Sequence, residues 1–199
     1  MKKILLRLLI IILMIGVLTT ATGAYFSNEG TSSDNTFTTG TLNLKLDGAD
    51  DVTATWTMSN MAPGDSVSAD IDLTNTGTIT ADHVEVSEVV NVVADANNDA
   101  DPDIETMLEI TALTYDGVSI LAALVDANAN GWIDLGDLAN SFNSGDGGIL
   151  DGLTAPAAGG ADTKVFSMTI LFRTEAGNEY QGDSNAMSIT FQLNQDASQ

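Results

Sequence analysis

Apolar residues recur at every second position through most of this chain, the pattern of strands with one face against a core and the other against water. Leu42, Leu44 and Leu46 share one such face. Val52, Ala54, Trp56 and Met58 alternate with Thr53, Thr55 and Thr57, and Val67, Ala69, Ile71 and Leu73 with Ser68, Asp70 and Asp72. Toward the C-terminus Phe166, Met168, Ile170 and Phe172 form another face, and Met187, Ile189, Phe191 and Leu193 the last. The valine-rich run from His83 to Val93 slips at Ser87-Glu88, where a bulge or bend is expected. Pro63-Gly64-Asp65 and Asn75-Thr76-Gly77 are turn signals, and Asp116-Gly117 fits a hairpin from Leu113 to Ile120.

Strands that are apolar on one side only must pack as two sheets, so the pattern predicts an all-β fold, a jelly-roll β-sandwich of two antiparallel sheets. One short helix is predicted near Leu135 to Asn140, with a turn around Asp103 to Met107. Long acidic loops fill the gaps. Asp95 to Asp103 reads as one, and Asn140 to Asp162, with Ile149, Leu150 and Leu153 as its larger apolar residues, as a long surface loop.

The N-terminus departs from this alternation. Lys2, Lys3 and Arg7 precede 11 consecutive apolar residues from Leu8 to Leu18, the layout of a signal peptide. A membrane span needs about 20 such residues. Thr22-Gly23-Ala24 supplies small side chains for a signal peptidase, and cleavage between Ala24 and Tyr25 leaves 175 residues. The expected organisation is a signal peptide over 1–24, an N-terminal segment over 25–37 and one sandwich domain over 38–199. The mature protein is expected outside the cytoplasm, with no stable membrane span.

Export sharpens the charge. The mature chain keeps Lys45, Lys164 and Arg173 against 28 acidic residues, a formal charge of −25. Such a chain repels nucleic acid and anionic lipid. With no cysteine the fold rests on packing alone, and with a single histidine the familiar zinc and Ser-His-Asp arrangements are out of reach.

One motif carries metal chemistry. Asp126, Asn128, Asn130, Asp134 and Asp137 place side-chain oxygens at positions 1, 3, 5, 9 and 12 of a 12-residue loop. Gly131 takes the sharp turn at position 6, Trp132 offers its carbonyl at position 7, and Ile133 would point into the core. Calcium asks for six to eight hard oxygen ligands, and this spacing converges them from one segment. The loop resembles the dockerin type over these residues. A single weak calcium site is expected. Asp95, Asn97, Asp99, Asp101 and Asp103 form a second acidic run without the glycine, read as a solvated loop. His83 sits in Asp82-His83-Val84-Glu85, and H-E-x-x-H is missing, so no catalytic constellation is found. Glu85 and Glu88 are read as a solvent-facing edge.

Three ordered landmarks carry a family resemblance. The first is Ala21 to Ser27 followed by Asn35 to Leu44. The second is Ser59-Asn60-Met61-Ala62-Pro63-Gly64-Asp65 with the strand to Gly77. The third is Asn178-Glu179-Tyr180-Gln181-Gly182-Asp183-Ser184. Together they resemble the TasA/camelysin family. That resemblance implies a jelly-roll subunit of extracellular filaments, in a biofilm matrix or as bundling pili, in which one subunit donates its N-terminal segment as a strand to the next. The metallopeptidase label of camelysins is not carried over, because H-E-x-x-H is absent. The calcium loop, the scarcity of lysine and the short C-terminus depart from the family pattern.

The residues fit a polymer independently. Asn28 to Asn35 holds too little apolar side chain to dock firmly in its own core. An open sheet edge capped by a neighbour's strand gives head-to-tail fibres rather than rings. The expected function is a non-enzymatic homopolymer subunit, with Tyr25, Phe26 and Phe37 in the assembly segment and calcium as a stabiliser. The alternative is a monomeric, calcium-dependent cell-surface adhesion module. A secreted metallopeptidase and a type IV pilin, which would keep its hydrophobic helix, are further rivals.

Overall fold

The computed structural model describes residues 40–51, 53–95, 103–143, 150 and 152–195, all within one compact unit, Thr39–Gln199. Among the described residues nine strands carry it: β1 (Leu44–Leu46), β2 (Thr53–Ser59), β3 (Ser66–Asn75), β4 (His83–Ala94), β5 (Leu108–Tyr115), β6 (Val118–Ser119), β7 (Leu153–Thr154), β8 (Thr163–Phe172) and β9 (Ser184–Asn194). One sheet has the order β1-β3-β8-β5-β6 and the other β2-β9-β4-β7, with every pairing antiparallel. Strands β2 to β9 thus interleave as 2-9-4-7 against 3-8-5-6, the jelly-roll arrangement that the alternation predicts. Strand β1 is a three-residue stub beside β3.

The core forms where the two apolar faces meet. Phe166, Met168, Ile170 and Phe172 of β8 interleave with Met187, Ile189, Phe191 and Leu193 of β9, all buried. Phe166 is its aromatic hub, edge-on to Trp56 at 6.3 Å and to Phe191 at 5.2 Å between centroids. The expected slip in β4 is a bulge, with the register shifting between Val86 and Glu88. It lets Val84 and Val86 before the bulge and Val89 after it share the inner face. Asp116 and Gly117, at φ of 50° and 76°, make the two-residue hairpin turn from β5 to β6.

Two expectations change. The helix α1 (Leu135–Asn143) extends three residues beyond Asn140. The stretch from 140 to 162 is not surface loop throughout: Leu153–Thr154 pairs with His83–Val84 as β7, and Leu150 and Leu153 are buried. Two leucines twelve or more residues from any alternating partner give no periodic signal, so only the tertiary contact identifies them as core.

The Asn75-Thr76-Gly77 landmark has a physical role. Asn75 is fully buried; its side-chain oxygen accepts from Gly77 N at 3.0 Å and its amide donates to the Ile79 carbonyl at 3.1 Å. A Cβ on Gly77 would lie 2.1 Å from the Thr41 carbonyl oxygen, so glycine is what lets residues 41–43 run against this turn.

Candidate functional site: an Asp/Asn loop and an uncovered strand edge

The predicted calcium loop forms a closed turn leading into α1. The Asp126 carboxylate accepts from Asn130 N at 3.1 Å and Gly131 N at 2.8 Å. Gly131 has φ of 98°, as the sixth position requires. Asp134 and Asp137 are fully buried and cap each other's backbone: Asp137 N donates to Asp134 Oδ1 at 2.9 Å and Asp134 N to Asp137 Oδ2 at 3.1 Å. Asp137 Oδ1 also accepts from Ala127 N, which ties position 12 back to the start. The side-chain amides of Asn128 and Asn130 both donate to Asp134 Oδ2 at 2.8 Å.

Burial raises the Asp134 carboxyl above its ordinary range, against the bonds it accepts from Asn128, Asp137 and Asn130, and the Asp137 charge adds to the rise. Glu105, on the adjacent turn Ile104–Met107, is raised chiefly by burial, and the charges of Asp103 and Asp134 add to it. The six predicted ligands therefore lie in one turn. Yet among the described residues no three carboxylate or imidazole side chains converge as a metal centre. In this geometry the loop's oxygens are held by amide and peptide N–H groups.

The loop is anchored to the sandwich on its other side. Ile133 packs against the core and its carbonyl accepts from Ile110 N at 2.7 Å. Trp132 donates to the Thr106 carbonyl and lies under the Arg173 guanidinium, 3.8 Å from the ring centroid. Arg173 pairs in turn with Glu109 at 2.5 Å and Glu175 at 3.1 Å. Sequence reading missed this stack, because a lone arginine forty-one positions from a tryptophan leaves no local signal.

The second acidic run lies mostly outside the described residues; only Asp95 and Asp103 fall within them. Ala24, Tyr25, Phe26 and Phe37 lie outside them too. His83 is buried, 3.2 Å from Asp82 and 3.3 Å from the Asn194 amide. That amide donates to Glu85 at 2.6 Å, so Glu85 is half-buried in a polar network instead of lining a solvent-facing edge. Glu88, beyond the bulge, is exposed as expected.

The second feature is an edge. Strand β1 covers β3 only from Leu73 to Asn75, and the Asp47 main chain and carboxylate extend the cover to Asp72. From Ser66 to Ile71 that side of β3 meets no strand among the described residues. The inward row reflects this: Leu73 is fully buried, Ile71 and Ala69 are partly exposed, and Val67 is 37% exposed. Their partners across β8, Phe166, Met168 and Ile170, are buried. Strand β2 is the edge of the other sheet, and Trp56 on it is buried with its indole N–H unpartnered among the described residues.

At the end of the sandwich where the turn after β2 leads into β3 lies a cleft of about 750 Å³. Met58, Met61, Leu108, Phe172 and Tyr180 supply its apolar lining, and Phe172 and Tyr180 stack edge to face at 6.4 Å. The second and third sequence landmarks, Ser59–Asp65 and Asn178–Ser184, meet here from opposite ends of the chain.

The fold defines an all-β antiparallel jelly-roll protein whose strand β3 is only part-covered on its outer side among the described residues. The chain belongs to the family described as camelysin metallo-endopeptidase, whose model matches residues 1–199. That membership supports a secreted or cell-surface protein of structural or biofilm-related type, and the family's description also names an endopeptidase activity. None of the curated proteins matches the chain. No helix among the described residues is long and apolar enough to cross a membrane. The residues present do not fit the His-rich zinc centre that a metallo-endopeptidase description implies: the one histidine is buried against Asp82 and Asn194, and there is no cysteine.

Proposed function

We propose that this protein is a non-enzymatic subunit of an extracellular homopolymer, assembled when each copy gives its N-terminal segment, about Tyr25 to Phe37, to the open flank of the next. The observation that supports this is the half-covered strand β3. Leu73 is buried completely while Val67 on the same face is more than a third exposed, and among the described residues no strand lies beside that half of β3. An extended segment placed beside residues 66–71 would pair its backbone and cover that row. In this reading signal peptidase cleavage after Ala24 frees the donor and starts assembly. Electron microscopy of the mature protein should show filaments. Deleting residues 25–35 should leave a folded monomer with none, and filaments from that variant would refute the proposal.

Calcium is a second element of this reading, favoured by Asp134 and Asp137, two fully buried carboxylates in one turn. A cation at the loop would offset their mutual repulsion, held by Asp126, Asp134, Asp137, the Trp132 carbonyl and the Asn128 and Asn130 amides turned oxygen-inward. Millimolar calcium should raise the melting temperature, by the equivalent of about 2.7 kcal/mol at a hundredfold excess over Kd. An unchanged melting temperature in calcium and in chelator would remove calcium from the account. A calcium-dependent adhesion module would show that shift but stay monomeric by light scattering.

A further inference from the structure

We propose that the end cleft is the pocket for Phe37 of a neighbouring copy; this rests on the strand-donation reading above and assigns its acceptor site. The argument begins with direction. Residues 41–46 run antiparallel to 73–79: Leu44 faces Asn75, Thr76 N donates to the Asn43 carbonyl and Thr78 N to the Thr41 carbonyl. Followed back toward Gly40, the chain therefore advances past the end of β3 at Asn75. The cleft lies at the other end, beside the turn that enters β3 at Ser66. The ten residues of β3 separate the two by about 33 Å, at roughly 3.3 Å per residue.

An exit at one end and an acceptor at the other is the polarity of a head-to-tail stack. Phe37 is three residues before Gly40 and reaches about 10 Å beyond it. A second copy stacked on that end presents its cleft first, so Phe37 meets the cleft before any earlier residue does. From there the segment toward Asp34 and Thr31 runs along residues 66–71 antiparallel to β3, the sense of every other pairing in the fold. The chain's own segment cannot make this pairing without reversing, because β1 already occupies the edge at 73–75.

Charge and chemistry agree. Among the described residues lining the cleft only Asp183 is charged, in a protein with 28 acidic residues. Thr36-Phe37-Thr38-Thr39-Gly40 carries no charge. Phe172 and Tyr180 offer ring edges and faces to a third aromatic, and Met58 and Met61 adaptable thioethers.

The absence of native cysteine makes a cross-linking test clean. The mature double variant Phe37→Cys/Ala62→Cys, with a thiol on the donor and one on the exposed cleft rim, should give a ladder of covalent oligomers under mild oxidation. Phe37→Cys/Ser87→Cys, with the second thiol on the β4 bulge, should give no ladder. Phe37→Ala should raise the critical concentration for filaments by about tenfold or more while leaving the monomer's circular dichroism unchanged. Failure of the ladder and full assembly of Phe37→Ala, with filaments still abolished by deletion of 25–35, would overturn the cleft assignment and leave strand donation standing. Filaments that persist after the deletion would overturn both.

Discussion

The two halves of β3 carry the same alternation and meet different fates. Leu73, in the half beside β1, is fully buried, while Val67, six residues earlier on the same face, is 37% exposed. Across β8 Val67 lies opposite the buried Ile170, and Leu73 opposite the half-buried Lys164, so the partner on that side does not explain the contrast. The difference is the neighbour: one half has a strand at its side and the other has none among the described residues. Periodicity says which way a side chain points, and burial depends on what lies beside it. A half-strand with no neighbour among the described residues, and with its inward row partly exposed, is a place where another chain can add.

That contrast sets the expected size of each perturbation. Leu73→Ala should cost about 2–5 kcal/mol, the range for emptying a closed core site, and lower the melting temperature of the monomer by roughly 2–4 °C per kcal/mol. A loss no larger than that from Val67→Ala would erase the distinction between the halves. Gly77→Ala attacks the cover itself. Its methyl would collide with the Thr41 carbonyl and push residues 41–43 from the turn, at about 1–3 kcal/mol. Hydrogen exchange should show Leu44 to Leu46 losing protection first, and a uniform loss would mean that β1 is not held from this turn.

A smaller effect comes from the acid loop, which lies away from the flank. The folded Asp134 carboxyl sits above its ordinary value of 3.8, and Glu105 above 4.5. The native state therefore holds protons that the unfolded chain releases. The stability these groups contribute is full below those ordinary values and is lost as pH rises through the higher folded ones. Asp134→Asn keeps an oxygen for the Asp137 N–H and removes the charge. Its melting temperature should depend less on pH than the wild type's above pH 4 in calcium-free buffer, and a parallel profile would exclude Asp134 as a source of that dependence. The smallest stability change belongs to Val67→Ala, under about 1 kcal/mol for a partly exposed position. Charge at the same place reads out assembly instead. Val67→Asp should melt close to wild type yet fail to form filaments, whereas normal filaments would mean that this flank is not the acceptor.

Much of this architecture is legible residue by residue. Trp56 and Met58 among threonines, or Met187 to Leu193 at every second place, state their face without a partner in view, because pleating makes side-chain direction strictly periodic. The bulge at Ser87, the Asp116-Gly117 turn and the closed Asp/Asn turn from Asp126 to Asp137 are local chemistry and read equally well. Leu150 and Leu153 do not, since their burial comes from contact with β4 and not from any rhythm of their own. Nor does Glu85, whose place in a network with Asn194 and His83 depends on a strand pairing across more than a hundred residues.

By itself, then, the sequence determined the two-faced strands, their turns, the acidic charge and the family, because each is written in short-range pattern or in ordered motifs. Tertiary structure alone decided which strands end up as edges, that β1 stops three residues along β3, and that Ser59–Asp65 and Asn178–Ser184 close on one cleft. These facts are set by which strand packs beside which, and that choice is a property of the whole core rather than of any segment within it.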